Sequence, residues 1–555
     1  MTKCVLTMYY VLLLLWEYYD LYMSRIAPEN EKITLSLGSS QYNVHCFVRS
    51  YGTKDEKSPK TKTEKKDKKE QKYRQTSLPH CDVNPRKYGG PDLDAVKKIR
   101  SSKVVPLPLL YKEPVLLHQG FMQYLFDYKG KRYLDLYAGI STMNIGHSNP
   151  KFIKCMYENI STIHHTNSMY LHEHYHTYGE KMLKRLGKTF TKFYFNTTSS
   201  ESIEVALLLA RLHTGNKDVI VLHNSYHGVS YTTSGLTSNK YYKYIEPESQ
   251  AVLHSMVPDP YRGLWGGEKC RNSLSQVKHR KCKCPENKCK ATDYYYNQLE
   301  ELFRHSMAAK GIAALLIEPI QANGVTQYTK GYLKKAAELV RAKGGVVIVD
   351  ETHTGFGRTG DLFCFPSECI EPEIVVTGKG MGSGLPISGI YTCDAVGSAI
   401  FEAHHSTTFG GNIAAMAAAQ VTLDIIEIDK LACNAEKVGE YFLKELEKMS
   451  KVFPYMGDVR GRGLMIAVEL IDCMKCGDKI TRRPMARASV DKIWEQLKNC
   501  NILTGRGGID NNVLIMTPPL CITKPDVDYV LYVLNEALYD HADRLLASGD
   551  FKNPD

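Results

Sequence analysis

The sequence lacks several features that would place it in a special structural class. It has no internal repeat and no sustained heptad pattern, which excludes a solenoid and a long coiled coil. Its N-terminal apolar run, residues 5–16, is shorter than the roughly 20 apolar residues that a transmembrane helix needs. Its 16 cysteines mostly lie singly in apolar or helical contexts, as reduced thiols do, and do not form the framework of a secreted, disulfide-rich protein.

What is present is an ordinary globular composition. Of the 555 residues, 43% are hydrophobic and 24% are charged, unlike disordered or collagen-like chains. A chain of this length folds as two or three domains with large buried cores. These properties favour an enzyme with a cleft between domains over a small binding module.

The net charge of +11 is concentrated in one short segment. Residues 54–74 contain ten Lys or Arg and five Asp or Glu, which accounts for about half of the excess, and they contain no aliphatic residue. Such a segment cannot bury enough surface to offset the entropy of ordering it. We therefore predict a targeting or apolar segment and a solvated, disordered linker over residues 1–80, and no nucleic-acid partner. An RNA- or lipid-binding arm is the alternative for the Lys-rich part.

Two groups of cysteines raise the question of a metal. Cys270, Cys282, Cys284 and Cys289 lie in a Lys-rich insertion, and a CMKC sequence occupies residues 473–476. A structural zinc site needs four thiolates within tetrahedral reach, and the spacing of the insertion suits this poorly. We predict loops here and no metal site.

The remainder of the chain is typical of an α/β fold. Short continuous Val/Ile/Leu runs alternate with helical segments, which indicates a mostly parallel sheet covered by helices on both faces. After residue 412 long helices precede short strands, which is typical of a smaller α+β domain. A helix and a hairpin-like segment at 116–136 are expected to join that smaller domain. The predicted strands are 219–222, 312–317, 345–349 and 374–377, and the predicted helices include 203–213, 330–343, 413–428 and 429–450.

Two strand ends carry the residues that suggest chemistry. One apolar strand delivers Asp350 to a Gly-rich turn, and another runs into Lys379, which is flanked by Gly378 and Gly380. An amine between glycines leaves space for a bulky planar group. A lysine that forms a Schiff base and an aspartate that pairs with a pyridinium nitrogen are what pyridoxal phosphate requires. Taken alone, Asp350 could also cap a helix or pair with an arginine.

Seven further motifs extend along the chain. They are LLHQG (116–120), SYHG (225–228), EPIQ (318–321), TGFGRTG (354–360), TFGGN (408–412), GDVRGRGLM (457–465) and CITKPDVD (521–528). With these motifs the chain resembles the class III pyridoxal-phosphate aminotransferases, and within them the mitochondrial alanine-glyoxylate type. The resemblance covers residues 81–546 and implies fold type I of these transferases, with a seven-stranded large domain at 166–410. It also implies a small domain at 411–555 to which residues 81–165 contribute.

The resemblance also implies roles for individual residues. Lys379 would hold the cofactor and act as the catalytic base, and Asp350 would pair with the pyridine nitrogen. Tyr226 would stack on the ring. The pair Ser199 and Ser200 would bind the phosphate at a helix N-terminus. Thr408 would reach the phosphate in the neighbouring subunit, so the active form would be a homodimer or a homotetramer.

Three positions depart from the family pattern. Ser199 replaces a glycine in the phosphate loop, and His353 replaces a glutamine beside the cofactor's phenolic oxygen. Ile515 replaces an arginine that binds the substrate carboxylate, a contact worth roughly 1.5 to 3 kcal/mol. Arg506, Arg358 and His405 are the candidates for taking over that contact.

The resemblance implies a ping-pong transaminase that moves an amino group from alanine, or from a β-amino acid such as 3-aminoisobutyrate, to glyoxylate or pyruvate. The three departures leave two alternatives open: a catalytically impaired cofactor-binding pseudoenzyme, and an aminotransferase with a shifted amine or ω-amino-acid substrate. The resemblance implies a mitochondrial location. The apolar N-terminus leaves a secretory or membrane-anchored location as the alternative.

Overall fold

The computed structural model describes residues 34–37, 40–43, 77–242, 251–266, 289–306, 311–400, 405–472, 475–476, 479–480 and 482–548. The apolar run at 5–16, the Lys-rich segment at 54–74 and four of the cysteines discussed above, Cys270, Cys282, Cys284 and Cys473, lie outside these residues. Residues 71–555 form one compact unit, and residues 1–70 group separately. Among the described residues no helix combines the length and the apolarity that crossing a membrane requires.

Strands and helices alternate through most of the chain. The strands are β1 (Thr34–Leu37), β2 (Ser40–Asn43), β3 (Leu117–Phe121), β4 (Tyr124–Asp127), β5 (Arg132–Leu136), β6 (Lys192–Asn196), β7 (Val219–Leu222), β8 (Val252–Ser255), β9 (Ala314–Ile317), β10 (Val346–Asp350), β11 (Ile374–Thr377), β12 (Ser388–Thr392), β13 (Met456–Arg462), β14 (Met465–Leu470), β15 (Lys475–Cys476), β16 (Lys479–Ile480), β17 (Ile502–Gly507) and β18 (Val513–Met516). The helices are α1 (Leu93–Lys103), α2 (Ala138–Ser141), α3 (Pro150–Thr162), α4 (Glu173–Leu186), α5 (Ser199–Thr214), α6 (Tyr231–Leu236), α7 (Lys290–His305), α8 (Tyr332–Ala342), α9 (Asp394–Gly397), α10 (Ile413–Ile428), α11 (Leu431–Ser450), α12 (Arg487–Asn499) and α13 (Lys524–Ser548).

The large sheet has seven strands in the order β6-β12-β11-β10-β9-β7-β8. Only β12 runs antiparallel to its neighbours, and the other adjacent pairs are parallel. Every residue of β9, β10 and β11 is buried, because helices and loops cover both faces. The prediction of a mostly parallel seven-stranded sheet is confirmed.

A second seven-stranded sheet has the order β13-β14-β18-β17-β5-β4-β3. Most of its pairs are antiparallel, but β17 and β5 pair in parallel, with Ile502 opposite Leu134. The N-terminal hairpin therefore completes a sheet whose other strands come from the C-terminal part of the chain. The fold is thus α/β with two mixed sheets. The boundaries at residues 165 and 410 stay a prediction.

The large sheet positions the residues of interest because its parallel strands end at one edge. β10 and β11 are neighbours, with Asp350 opposite Val376. Asp350 is the last residue of β10, and Lys379 follows β11 after a single glycine. The carboxyl ends of parallel strands are where such sheets bind ligands.

Candidate active site

A cavity of about 300 Å³ opens at this edge of the large sheet. It brings together six of the seven residues predicted from the sequence; the exception is Thr408. The predicted residues are Ser199, Ser200, Tyr226, Asp350, His353 and Lys379. The other lining residues are Thr142, Thr197, Thr198, His227, Gly228, Thr352, Gly384, Leu385, Pro386 and Ile387.

Asp350 is a carboxylate held in place by two donors. It is only 4% exposed, and it accepts a hydrogen bond from Nδ1 of His227 at 2.9 Å. The backbone N–H of Thr352 donates to its other oxygen at 3.0 Å. His227 is itself 3% exposed, so this pair is fixed in a low-dielectric setting where a charge-assisted hydrogen bond is strong. These two hydrogen bonds fix the Asp350 carboxylate in the lining of the cavity.

Lys379 is a partly desolvated amine beside this carboxylate. Burial lowers the pKa of its ammonium group, and the carboxylates of Asp350 and Glu318 oppose part of that shift. Its backbone φ is 44°, in the left-handed region that residues other than glycine adopt rarely. Strain of this kind persists where the surrounding structure over-determines a functional residue. A lysine with a lowered pKa is available as a nucleophilic amine.

Glu318 is a buried carboxylate that contacts the backbone of Tyr226, which lines the cavity, and the backbone of Ala322, which does not. Its carboxylate accepts hydrogen bonds from the backbone N–H groups of Tyr226 at 3.2 Å and Ala322 at 2.8 Å. Burial raises the pKa of Glu318 to about 7; the charge of His227 lowers it, and that of Asp350 raises it further. Glu318 thus fixes the backbone of Tyr226, whose ring lines the cavity and meets Tyr242 edge-on at 4.9 Å between centroids.

The start of α5 forms another part of the cavity lining. Thr198 is the N-cap, and its hydroxyl accepts a hydrogen bond from the N–H of Glu201 at 3.4 Å. The Glu201 carboxylate accepts the N–H of Thr197 at 2.9 Å. The N–H groups of Ser199 and Ser200 belong to the first helical turn and have no partner within the helix. Such groups, together with the helix dipole, form an anion-binding site.

His353 contributes a neutral imidazole. It is 9% exposed, and burial together with the positive charges of Lys379, Arg358 and His227 holds its pKa well below the usual value. Its Nε2 is buried and has no hydrogen-bond partner among the described residues, and the same is true of the Thr352 hydroxyl and of His227 Nε2. Buried polar groups are normally satisfied, so these three atoms indicate a polar ligand. They fit a cofactor that brings a phosphate, a ring nitrogen and a phenolic oxygen.

Thr408 lies outside the cavity on the surface. It is exposed, as is its neighbour Phe409, whose ring contacts that of His165 at 5.4 Å between centroids. Within the part of the chain that the structure describes, Thr408 therefore does not reach the phosphate end of its own subunit's cavity. Its predicted role in a neighbouring subunit stays a prediction.

Ile515 lies in an apolar cluster of β18 and its surroundings. It is 7% exposed, and a β-carbon on Gly507 would come within 2.7 Å of its Cδ1, so the two residues pack closely. Tyr137 and Ala322 pack against the cluster from the side. The members of this Ile515 cluster are Ile320, Val325, Cys364, Met465, Ala467, Val513 and Ile515.

The three candidates for replacing the missing arginine are engaged elsewhere. Arg358 is fully buried and donates to the carbonyls of Leu464 and Pro518 and to Asn144. Arg506 pairs with Asp491 and donates to the carbonyl of Asn511. His405 is 3.1 Å from the Tyr194 hydroxyl in a different cavity. None of the three lines the cavity of Lys379, so the structure gives no support to their taking over a substrate carboxylate.

Comparison with known proteins accounts for this arrangement. The family description "Aminotransferase class-III" matches residues 112–538. The chain belongs to the class III aminotransferases. A relative from Pongo abelii named "Alanine--glyoxylate aminotransferase 2, mitochondrial" is 40% identical over 84% of this chain and 90% of its own length.

Solved structures of the same kind share the fold. A phospholyase from Arthrobacter in complex with phosphoethanolamine is 28% identical, covers 80% of this chain and 99% of its own, and has a TM-score of 0.70. An amine transaminase from an uncultivated Pseudomonas species, solved with pyridoxal phosphate bound, is 25% identical, covers 79% of this chain and 98% of its own, and has a TM-score of 0.68. The cofactor of this class III aminotransferase is pyridoxal phosphate.

Two residues of the site escaped prediction from the sequence. His227 and Glu318 were part of the motifs SYHG and EPIQ, but no role was assigned to either. A histidine next to Tyr226 and a glutamate directly after a buried strand are the available signals. Their partners, Asp350 and the N–H of Tyr226, are 123 and 92 residues away in the chain, so only the folded structure pairs them.

Proposed function

We propose that this class III aminotransferase transfers the amino group of alanine, or of a β-amino acid such as 3-aminoisobutyrate, to glyoxylate or pyruvate. The observation that carries the proposal is the single cavity in which Lys379, Asp350, Tyr226 and the start of α5 meet. The name of the relative from Pongo abelii supports the choice of alanine and glyoxylate. Amino and oxo acids alternate at one site in such a ping-pong reaction.

The residues divide the work by position. Asp350, held by His227, would pair with the pyridine nitrogen and keep it protonated, and Tyr226 would cover one face of the ring. Ser199 and Ser200 would bind the phosphate, and His353 would donate one hydrogen bond to the phenolic oxygen. Lys379 would bind the cofactor covalently through Nζ. The same Nζ, as a free amine, would then move the proton at the substrate carbon that bears the amino group.

The cofactor itself supplies an electron sink for the negative charge that develops at that carbon. The protein's part is to supply an amine at Lys379 and a fixed carboxylate at Asp350. Burial lowers the pKa of Lys379, because a desolvated ammonium is disfavoured. Two hydrogen bonds hold the Asp350 carboxylate in place. These two environments support the assignment of Lys379 as base and Asp350 as counter-ion.

A shifted substrate is the second candidate, and Ile515 is the observation that favours it. A substrate carboxylate at the Ile515 cluster would meet apolar side chains, and losing a charge-assisted pair weakens binding by roughly tenfold to a hundredfold. An amine without an α-carboxylate, or an ω-amino acid, would lose less. A pseudoenzyme is less well supported, because Lys379 and Asp350 are both present and line one cavity.

A second copy of the chain is part of the proposal. Thr408 is exposed beside Phe409, and residues 167 and 407 are joined by a bond from Asn167 Nδ2 to the Thr407 carbonyl at 3.5 Å. Next to Asn167 three large apolar side chains, Met169, Tyr170 and Leu171, are exposed, Leu171 to 90%. An exposed apolar patch of this kind fits a subunit interface. A homodimer, or a homotetramer built from dimers, would bring Thr408 to the partner's phosphate site.

The relative's name supports a mitochondrial location.

The absorption spectrum of the purified protein tests the proposal. We expect a visible cofactor band that is lost in Lys379→Ala and that bleaches when alanine or 3-aminoisobutyrate is added. Bleaching by simple amines or ω-amino acids, with no response to alanine, would instead identify the shifted substrate. A band that no amino donor bleaches would overturn the transaminase and favour the pseudoenzyme.

A further inference from the structure

The hydroxyl of Ser199 occupies the place of the side chain that residue 378 lacks. A β-carbon built on Gly378 would collide with Ser199 Oγ, whereas its next nearest atoms, Ser199 Cβ and Ser388 Cβ, would be at ordinary contact distances of 3.4 and 3.6 Å. Gly378 has a φ of −178°, an extended conformation that any residue adopts. Residue 378 is therefore restricted to glycine by the position of the Ser199 hydroxyl oxygen, and not by its backbone conformation.

That oxygen lies at a sensitive point of the cavity. Ser199 is the first residue of α5 and lines the cavity, while Gly378 directly precedes Lys379. A seryl hydroxyl can donate one hydrogen bond, and a bond to a phosphate oxygen is charge-assisted and about twice as strong as a neutral one. Ser199 stands where the family pattern has a glycine, so its side chain needs space that a glycine does not. Gly378 leaves that space for the hydroxyl.

We propose that Ser199 and Gly378 function as a pair, in which Gly378 leaves room for the Ser199 hydroxyl and that hydroxyl donates a hydrogen bond to the phosphate of the cofactor. The proposal rests on the proposed function, because it needs pyridoxal phosphate to bind at Lys379. It goes further by assigning phosphate binding to a side chain in addition to the backbone of α5. An alanine at 378 would force the hydroxyl to rotate away from its place.

A second serine and glycine pair in the same cavity provides a matched control. A β-carbon on Gly228 would collide with Ser200 Oγ, but it would also lie 2.7 Å from Thr233 Oγ1 and 2.9 Å from Ser200 Cβ. Gly228 has a φ of 123°, which residues with a side chain rarely adopt. Gly228 is therefore required whether or not Ser200 has a hydroxyl. Removing the hydroxyl should rescue an alanine at 378 but not one at 228.

The test is a double-mutant cycle on the full chain, with the affinity for pyridoxal 5′-phosphate and for pyridoxal, which lacks the phosphate, as readouts. We expect Ser199→Ala to weaken the affinity for pyridoxal phosphate by about tenfold or more and to leave that for pyridoxal unchanged. Gly378→Ala should have a similar effect. The double variant should be no weaker than either single variant, because both remove the same contact. In the control cycle, Gly228→Ala should lower the affinity for pyridoxal phosphate by the same factor whether or not Ser200→Ala is also present.

Each outcome separates the pair from the proposed function. If the wild-type protein forms no Lys379-dependent band, both are overturned. If it does, but Ser199→Ala binds pyridoxal phosphate as the wild type does, the hydroxyl does not contact the phosphate and the pair alone is overturned. Additive losses in the Ser199 and Gly378 cycle would overturn the coupling. Thermal unfolding of each variant distinguishes a loss of affinity from a loss of fold, and the double variant, whose β-carbon has ordinary contacts, stays informative if Gly378→Ala is unstable.

Discussion

The lining of the Lys379 cavity, which we call the cofactor wall, and the region where the family resemblance places the substrate carboxylate, which we call the substrate wall, are built in opposite ways. The cofactor wall carries polar side chains, among them Asp350, His227, Lys379 and the serines of α5. The substrate wall is the apolar Ile515 cluster, and none of its members lines the cavity of Lys379. The first comes from the large sheet and the second mainly from β14 and β18 of the other sheet. In the proposed function, chemistry and substrate choice would therefore depend on separate elements, and one could change while the other persists.

The largest expected effect comes from breaking the cofactor wall at Lys379. We expect Lys379→Ala to lower the rate of the half-reaction with the preferred donor by about 10² to 10⁴, because a positioned general base contributes on that order. Single-turnover absorbance after addition of the donor measures this rate. The control is Lys192→Ala, since Lys192 lines the separate cavity beside β6. A half-reaction that proceeds normally without Lys379 would refute the assignment of the base.

The cofactor wall was largely predictable from the sequence, because its residues follow strand ends. Asp350 ends β10 and Lys379 follows the neighbouring β11 after one glycine, and the runs 219–222 and 374–377 coincide with β7 and β11. Helix α5 begins at Ser199, four residues before the predicted start, because Thr198 caps it. The predicted start of the helix is therefore wrong by one turn, while Ser199 and Ser200 lie in its first turn.

What the sequence could not predict depends on contacts between distant segments. Three contacts each join residues more than 100 positions apart. They are the hydrogen bond between His227 and Asp350, the parallel pairing of β5 with β17, and the hydrogen bond from Arg358 to the carbonyl of Pro518. Gly378 is a similar case, because its glycine is explained by an oxygen 179 positions away. Local pattern carries no information on such pairs, whose partners are fixed by tertiary packing.

The second largest effect concerns Glu318, which links the two walls through the N–H groups of Tyr226 and Ala322. Burial raises the pKa of Glu318 from its usual value of 4.5 to about 7, so between these pH values the folded protein binds more protons than the unfolded one. Stability should then fall as the pH rises from 4.5 to 7, by up to about 3 kcal/mol at roughly 1.4 kcal/mol per unit. We expect Glu318→Gln to remove this part of the pH dependence.

Denaturant unfolding at a series of pH values, without added cofactor, measures the difference between wild type and Glu318→Gln. The control is Glu180→Gln, which changes an exposed glutamate of α4. A difference that stays constant from pH 4.5 to 8 would mean that Glu318 does not titrate in this range. The contribution of Glu318 to stability would then come only from its hydrogen bonds with the N–H groups of Tyr226 and Ala322.

The third prediction tests the substrate wall at Ile515. If the missing arginine is the only defect in alanine binding, Ile515→Arg should lower the KM for alanine by about tenfold or more, because it restores a charge-assisted pair. A guanidinium in the Ile515 cluster also costs stability, on the order of 1 to 3 kcal/mol, when no carboxylate is bound. Ile515→Met is the matched control, since it adds length without charge and should leave the KM unchanged. An unchanged KM in Ile515→Arg would refute the lost-anchor explanation.

The smallest effect should come from His353, where the cofactor wall itself departs from the family pattern. A neutral imidazole and a carboxamide can each donate one hydrogen bond to the phenolic oxygen, so we expect His353→Gln to change the cofactor affinity by no more than about threefold. Because burial and nearby positive charges lower the pKa of His353, we expect its imidazole to stay neutral between pH 6 and 8. The pH dependence of the cofactor band over that range should therefore be the same in His353→Gln and in the wild type.

Absorption spectra of both proteins between pH 6 and 8 measure this, with His405→Gln as a control outside the cavity. A transition in the wild type that is absent from His353→Gln and present in His405→Gln would mean that His353 becomes protonated in this range. In that case the substitution at 353 would add a pH switch to the cofactor wall. The contrast between a preserved cofactor wall and an altered substrate wall would then no longer hold, because both walls would have diverged in function.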